Sequence, residues 1–239
     1  LQVIRNKSKM EISLKKLADL QQPVSHKSFP NVTVDAANES HRIPARVNGY
    51  PNRCQLIHPG LAEENRTGRK LIVVLAESKN EKGNDLDQWD QLATAASLTV
   101  LKVYPESSRG WHSSEVEFIN LLLRQIERQR PEIQSMVLIT RKRTFDFGNR
   151  LILANRNRFR GLVAIEPTDG NQSALPMSDP GNHLFTLMVP NRASFSVCLS
   201  LAEQLKRNGI PCNILPSSRG QGESLIDPIA VWIRLTDRL

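Results

Sequence analysis

The chain of 239 residues carries 32 Lys and Arg against 24 Asp and Glu, a formal net charge of +8, with 39% hydrophobic residues. That length allows one domain of ordinary to large size with a real core, and no apolar run approaches the roughly 20 residues that span a bilayer, so a soluble chain is expected. The 3 cysteines (Cys54, Cys198, Cys212) are too few and too scattered for a disulfide framework or a metal knuckle.

The basic balance permits an acidic partner, but the cations are spread along the chain, as on a solvated surface. The chain has neither an initiator Met nor an intact signal peptide, and reads as a piece of a longer protein. A Cys198–Cys212 bridge is conceivable; buried small hydrophobes are the competing reading of the same thiols.

Taken in order, residues 1–20 alternate around the polar turn "RNKSK" and predict a β-hairpin, which needs a further surface to pair with. Residues 21–52 are rich in Pro, Ser, Asn and His without periodicity and read as a linker or strapped-down loop. From Arg53 to Leu239 the pattern changes to short apolar runs alternating with amphipathic segments. Strands are expected at 53–58, 70–76, 98–104, 136–140, 161–166, 184–189 and 212–216. Helices are expected at 87–96, 113–130, 147–157, 194–209 and 224–239. Ser113 or Ser114 is placed to cap the second helix with Glu117, and Gly209 with Pro211 to end the fourth. Strands and helices that alternate along most of this stretch predict an α/β architecture, a mostly parallel sheet with helices on both faces.

One stretch stands out. Between the buried strand "MVLIT" and the helix that follows it lie Arg141, Lys142 and Arg143, at the carboxyl end of a strand, where open α/β sheets place their active sites.

The framework around that turn resembles the α/β-hydrolases, most closely the branch of polyhydroxybutyrate depolymerases, feruloyl esterases and dienelactone hydrolases. "RCQLIHPG" (53–60) is similar to the entry strand of that family, and "RKLIVVLAES" (69–78) to the strand leading into its oxyanion loop. "VEFINLLLRQIERQRPEIQSMVLIT" (116–140) is similar to the helix and strand before the nucleophile, and "SLAEQLKRNGIPCNILPSSRGQGES" (200–224) to the last helix and strand before the catalytic histidine. The resemblance spans 53–239 and implies an α/β-hydrolase-like three-layer sandwich, extended at its amino terminus by the hairpin and linker.

The catalytic motifs of the family are missing at each matching position. Where a Gly-x-Ser-x-Gly elbow should stand, the sequence reads "RKRTFDFG", with Thr144 the nearest hydroxyl. Glu77 stands where backbone N–H groups should face an oxyanion, Asn191 in place of the acid, and Gln221 in place of the histidine. A serine-type mechanism needs nucleophile, base and orienter together. The resemblance therefore implies a catalytically inactive domain, a structural or protein-binding module in a larger protein or assembly, with no cofactor and no metal.

Two other readings stay open. A hydrolase of the same fold would use Thr144, or a serine in a shifted register, with His112 or His183 as base. An anion-binding module would use Arg141, Lys142 and Arg143 at a helix amino terminus, against the alternative that they form a solvated basic turn. Glu77 is expected to pair with Arg141 or Arg143 across the mouth of the former site. A nucleic-acid role for Arg150, Arg156, Arg158 and Arg160 is disfavoured, because no aromatics are interleaved with them. The initial hairpin resembles the closing strands of a PDZ domain, which would suit an extracytoplasmic protein, periplasmic or secreted.

Overall fold

The computed structural model describes residues 42–46, 53–57, 70–79, 85–96, 98–168, 176, 183–215 and 225–236. All of them belong to one compact unit, Val32–Leu239. The hairpin expected at 1–20 and the loop containing Gln221 lie outside the described residues.

Among the described residues eight strands form one sheet in the order β1-β2-β4-β3-β5-β6-β7-β8. They are β1 Arg42–Arg46, β2 Arg53–Ile57, β3 Lys70–Leu75, β4 Thr99–Val103, β5 Ser135–Arg141, β6 Phe159–Ile165, β7 Phe185–Val189 and β8 Cys212–Ile214. β2 runs antiparallel to both β1 and β4, and every other neighbouring pair is parallel. Among the described residues five helices intervene: α1 Asp85–Ala96, α2 Glu115–Gln129, α3 Thr144–Ala154, α4 Phe195–Arg207 and α5 Ile226–Leu235.

The apolar strand runs become central strands because both of their faces are covered. Leu71, Val73 and Leu75 of β3 face a core shared with α2, α3 and α4, while Ile72 and Val74 face a second core built from α1 and α5. On α2 the buried stripe is Phe118, Ile119, Leu122, Leu123 and Ile126. Each such side chain contributes about 1.5–3 kcal/mol relative to an exposed one. Lys70, buried at the start of β3, donates to the Ile233 carbonyl and to Thr236 Oγ1, fastening the sheet to the end of α5.

Three local expectations need correction. Strand β1, "RIPAR", falls inside 21–52, read above as a linker; its Pro44 hides the alternation and is tolerated because β1 is an edge strand. Ser114 takes the N-cap position of α2 but makes no side-chain cap hydrogen bond. Instead Glu115 turns back and accepts the backbone N–H groups of Glu106 and His112, at 2.8 and 2.6 Å. Helix α3 begins at Thr144, three residues before the expected 147, with Arg143 as its N-cap. The stop at Gly209 is as read: its φ is +77°, and Ile210 N–H returns to the Leu205 carbonyl at 2.9 Å.

Because β4 and β5 lie on opposite sides of β3, the chain reverses direction across the sheet there. The crevice outside the carboxyl ends of β3 and β5 is thus the topological switch point.

Candidate functional site

Past the end of β5 the backbone turns sharply. Lys142 adopts φ +43°, a left-handed conformation uncommon for a residue with a side chain, and its N–H donates to the Ile165 carbonyl of β6 at 2.9 Å. α3 then starts two residues later. The strained position of this strand-to-helix turn is therefore Lys142. Thr144, the hydroxyl singled out from the sequence, is the first residue of α3.

Thr144 is sealed into that turn. It is buried at 2% exposure; its Oγ1 accepts the Arg141 N–H at 2.8 Å and donates to the Arg141 carbonyl at 2.8 Å. The next turn of α3 lies flat on β5. A methyl added at Gly148 would overlap Thr140 Cγ2, so glycine lets helix and strand approach.

Facing the elbow is the segment that leaves β3. Ala76 N–H bonds the Val103 carbonyl at 2.9 Å, and the Ala76 carbonyl accepts the Trp111 indole N–H at 2.7 Å. The Trp111 ring stacks on Phe147 of α3, with centroids 4.7 Å apart. Trp111 thus joins the loop after β4 to both the β3 exit and α3. Glu77, next in line, places Oε1 3.8 Å from Arg141 Nε and 3.9 Å from Lys142 Nζ. Arg143, the other partner weighed for Glu77, is exposed and makes no ion pair among the described residues.

These segments enclose a cleft of about 780 Å³. Among the described residues four cations line it, Arg109, Lys142, Arg143 and Arg150, with two carboxylates, Glu77 and Asp146, and the rings of Trp111 and Phe147. Burial pushes the Asp146 carboxyl above the usual range, and the Arg150 charge partly offsets this.

The remaining sequence candidates are elsewhere. Asn191 follows β7 and forms a reciprocal cap with Ser194: its N–H donates to Ser194 Oγ at 3.0 Å and its Oδ1 accepts the Ser194 N–H at 2.8 Å. Its side chain is committed to starting α4. His112 and His183 are exposed, neither lines the cleft, and His112 Nδ1 lies 2.9 Å from Ser114 Oγ. Among the described residues no group of His, Cys, Asp and Glu could hold a metal, and no helix is long and apolar enough to cross a membrane. Arg109 was not legible as a site residue, because only the fold carries the loop after β4 to the elbow. Lys142 was legible, as the middle of the three cations read from the sequence, but the sequence did not mark it as the residue that bears the strain.

No protein-family model matches the chain, and none of the curated proteins matches it. Solved structures do. HSL-homolog EstE7 from a metagenome library superposes with a TM-score of 0.60 at 13% identity, covering 84% of this chain and 87% of that one. Est1E from Butyrivibrio proteoclasticus gives a TM-score of 0.61 at 8% identity, over 84% of this chain and 100% of the other. XC6422 from Xanthomonas campestris, described as an α/β serine hydrolase without a lid, gives 0.59 at 13% identity, over 84% and 95%. The likeness is one of fold.

Proposed function

We propose that this chain, built on the α/β-hydrolase fold, is a catalytically inactive module that serves as a structural or protein-binding part of a larger assembly. One observation carries the reading: the strained residue at the elbow is Lys142, whose ammonium lies 3.9 Å from the Glu77 carboxylate. An ion-paired ammonium is not a serine-type nucleophile, and no histidine among the described residues lines the cleft to activate one. The Thr144 hydroxyl at the head of α3 is spent on Arg141. Glu77 sits where an esterase would gather N–H donors, and a carboxylate there raises the energy of a developing oxyanion rather than lowering it.

The test is hydrolysis of short-chain p-nitrophenyl esters at neutral pH by the 1–239 chain, with fluorophosphonate labelling in parallel. No turnover above the buffer rate and no label are expected. Turnover that disappears in Thr144→Ala, or a label on any serine, would overturn the reading in favour of an unconventional esterase.

A further inference from the structure

We propose that the cleft at the elbow binds a carboxylate, clamped between Arg109 and Arg143, with the Trp111–Phe147 wall receiving the apolar group that bears it; the proposal rests on the reading that this site no longer turns over esters. A volume of about 780 Å³ lies within the roughly 300–1,000 Å³ of sites that hold small ligands or single side chains. The pairing of its charges then selects the ligand. Lys142 is engaged by Glu77 at 3.9 Å, and the Arg150 charge acts on Asp146. Arg109 and Arg143 have no ion-pair partner among the described residues, yet both line the same cleft.

These two arginines come from different elements, so a ligand between them is held from two sides. Arg143 is the N-cap of α3, and Arg109 sits on the loop after β4. That loop is braced: Arg109 N–H donates to Ser107 Oγ at 3.1 Å, and buried Glu115 holds the N–H groups of Glu106 and His112. A guanidinium presents a planar fork that matches a planar carboxylate, and ordering its backbone beforehand reduces what binding must immobilise. Glu77 and Asp146 in the same cleft oppose a second negative charge, which favours a single carboxylate over a phosphate dianion or a nucleic-acid backbone. Trp111, half-buried and already stacked on Phe147, offers a fixed apolar wall beside the arginines.

The carboxylate belongs either to a free organic acid or to an Asp or Glu side chain of a partner protein. To separate them, the isotope-labelled 1–239 chain is titrated at constant ionic strength with sodium benzoate, with a blocked Glu-Phe-Glu peptide and with inorganic phosphate, followed by amide NMR shifts. Saturable shifts around 109–111 and 142–147 are expected for benzoate and the peptide, with phosphate weaker. Tighter peptide binding assigns the site to a partner protein, and tighter benzoate binding to a free acid. Arg109→Gln and Arg143→Gln should each weaken binding about tenfold, while Arg124→Gln, on the exposed side of α2, leaves it unchanged. No saturable binding, phosphate binding tighter than both carboxylates, or no loss in the two cleft variants would refute the clamp. Fluorophosphonate labelling of the same sample decides the catalytic reading separately, so a failed titration with unlabelled protein sinks the clamp alone.

Discussion

Glu77 Oε1 stands 3.9 Å from Lys142 Nζ, so the residues that follow β3 and β5 carry opposite charges across the carboxyl edge of the sheet. The lysine side chain is 46% exposed and the glutamate 32%, which places the pair in the weak, screened class. A double-mutant cycle of Glu77→Gln and Lys142→Gln should give a coupling of about 0.2–1 kcal/mol, shrinking in 1 M salt. Urea unfolding of the four variants measures it, and a salt-insensitive coupling well above that range would mean the pair is far less hydrated than its exposure indicates.

The backbone at Lys142 makes a second prediction. At φ +43° a β-branched side chain clashes with its own backbone, whereas glycine is at ease. Lys142→Val should destabilise by about 1–3 kcal/mol, and Lys142→Gly by less than about 1 kcal/mol, since relief of strain offsets the lost ion pair. Equal urea midpoints for the two variants would show that the turn relaxes freely.

Gly148 inverts an ordinary rule. Glycine to alanine inside a helix normally stabilises by about 0.8–1 kcal/mol. Here the new methyl would overlap Thr140 Cγ2 on a strand residue that is 0% exposed, so Gly148→Ala should destabilise by about 1–3 kcal/mol. Thr140→Ser removes that Cγ2 and retains the hydroxyl that donates to the Val163 carbonyl at 3.4 Å. The double variant should therefore recover most of the loss. Thermal unfolding of the two single variants and the pair would show whether it does.

Burial pushes the Cys54 thiol up to about 12, and those of Cys198 and Cys212 up to about 11, from an ordinary value of 9.0. The sign follows directly: unfolding frees thiols that ionise more easily, so the folded state loses ground as pH rises. This contribution is intact below about pH 9 and is lost progressively toward pH 11–12. All three cysteines are free and buried, so the thiol reagent DTNB at pH 8 should react slowly with the native chain and with three thiols once it is denatured. Rapid labelling of the native protein would contradict the burial.

The layered architecture follows from the apolar runs alone. Parallel strands covered on both faces must be nearly continuous apolar runs, and "LIVVL" and "MVLIT" can bury themselves in no other way without leaving one face wet. The amphipathic stripe of α2 and the glycine stop of α4 were equally local, because each follows from one segment's own periodicity or backbone freedom. Edge strand β1 was not, since its pairing with β2 rather than its own alternation makes it a strand. Which residue of the cationic turn bears the strain is set by strand pairing. Pairing of Arg141 with Ile165 carries β5 one residue beyond its apolar run, and the Lys142 N–H bond to the same Ile165 places the bend there. The family resemblance already set Glu77 opposite Arg141 or Arg143, but only the assembled sheet brings Arg109, on the loop after β4, to the same cleft, since sequence spacing does not encode where separate loops meet.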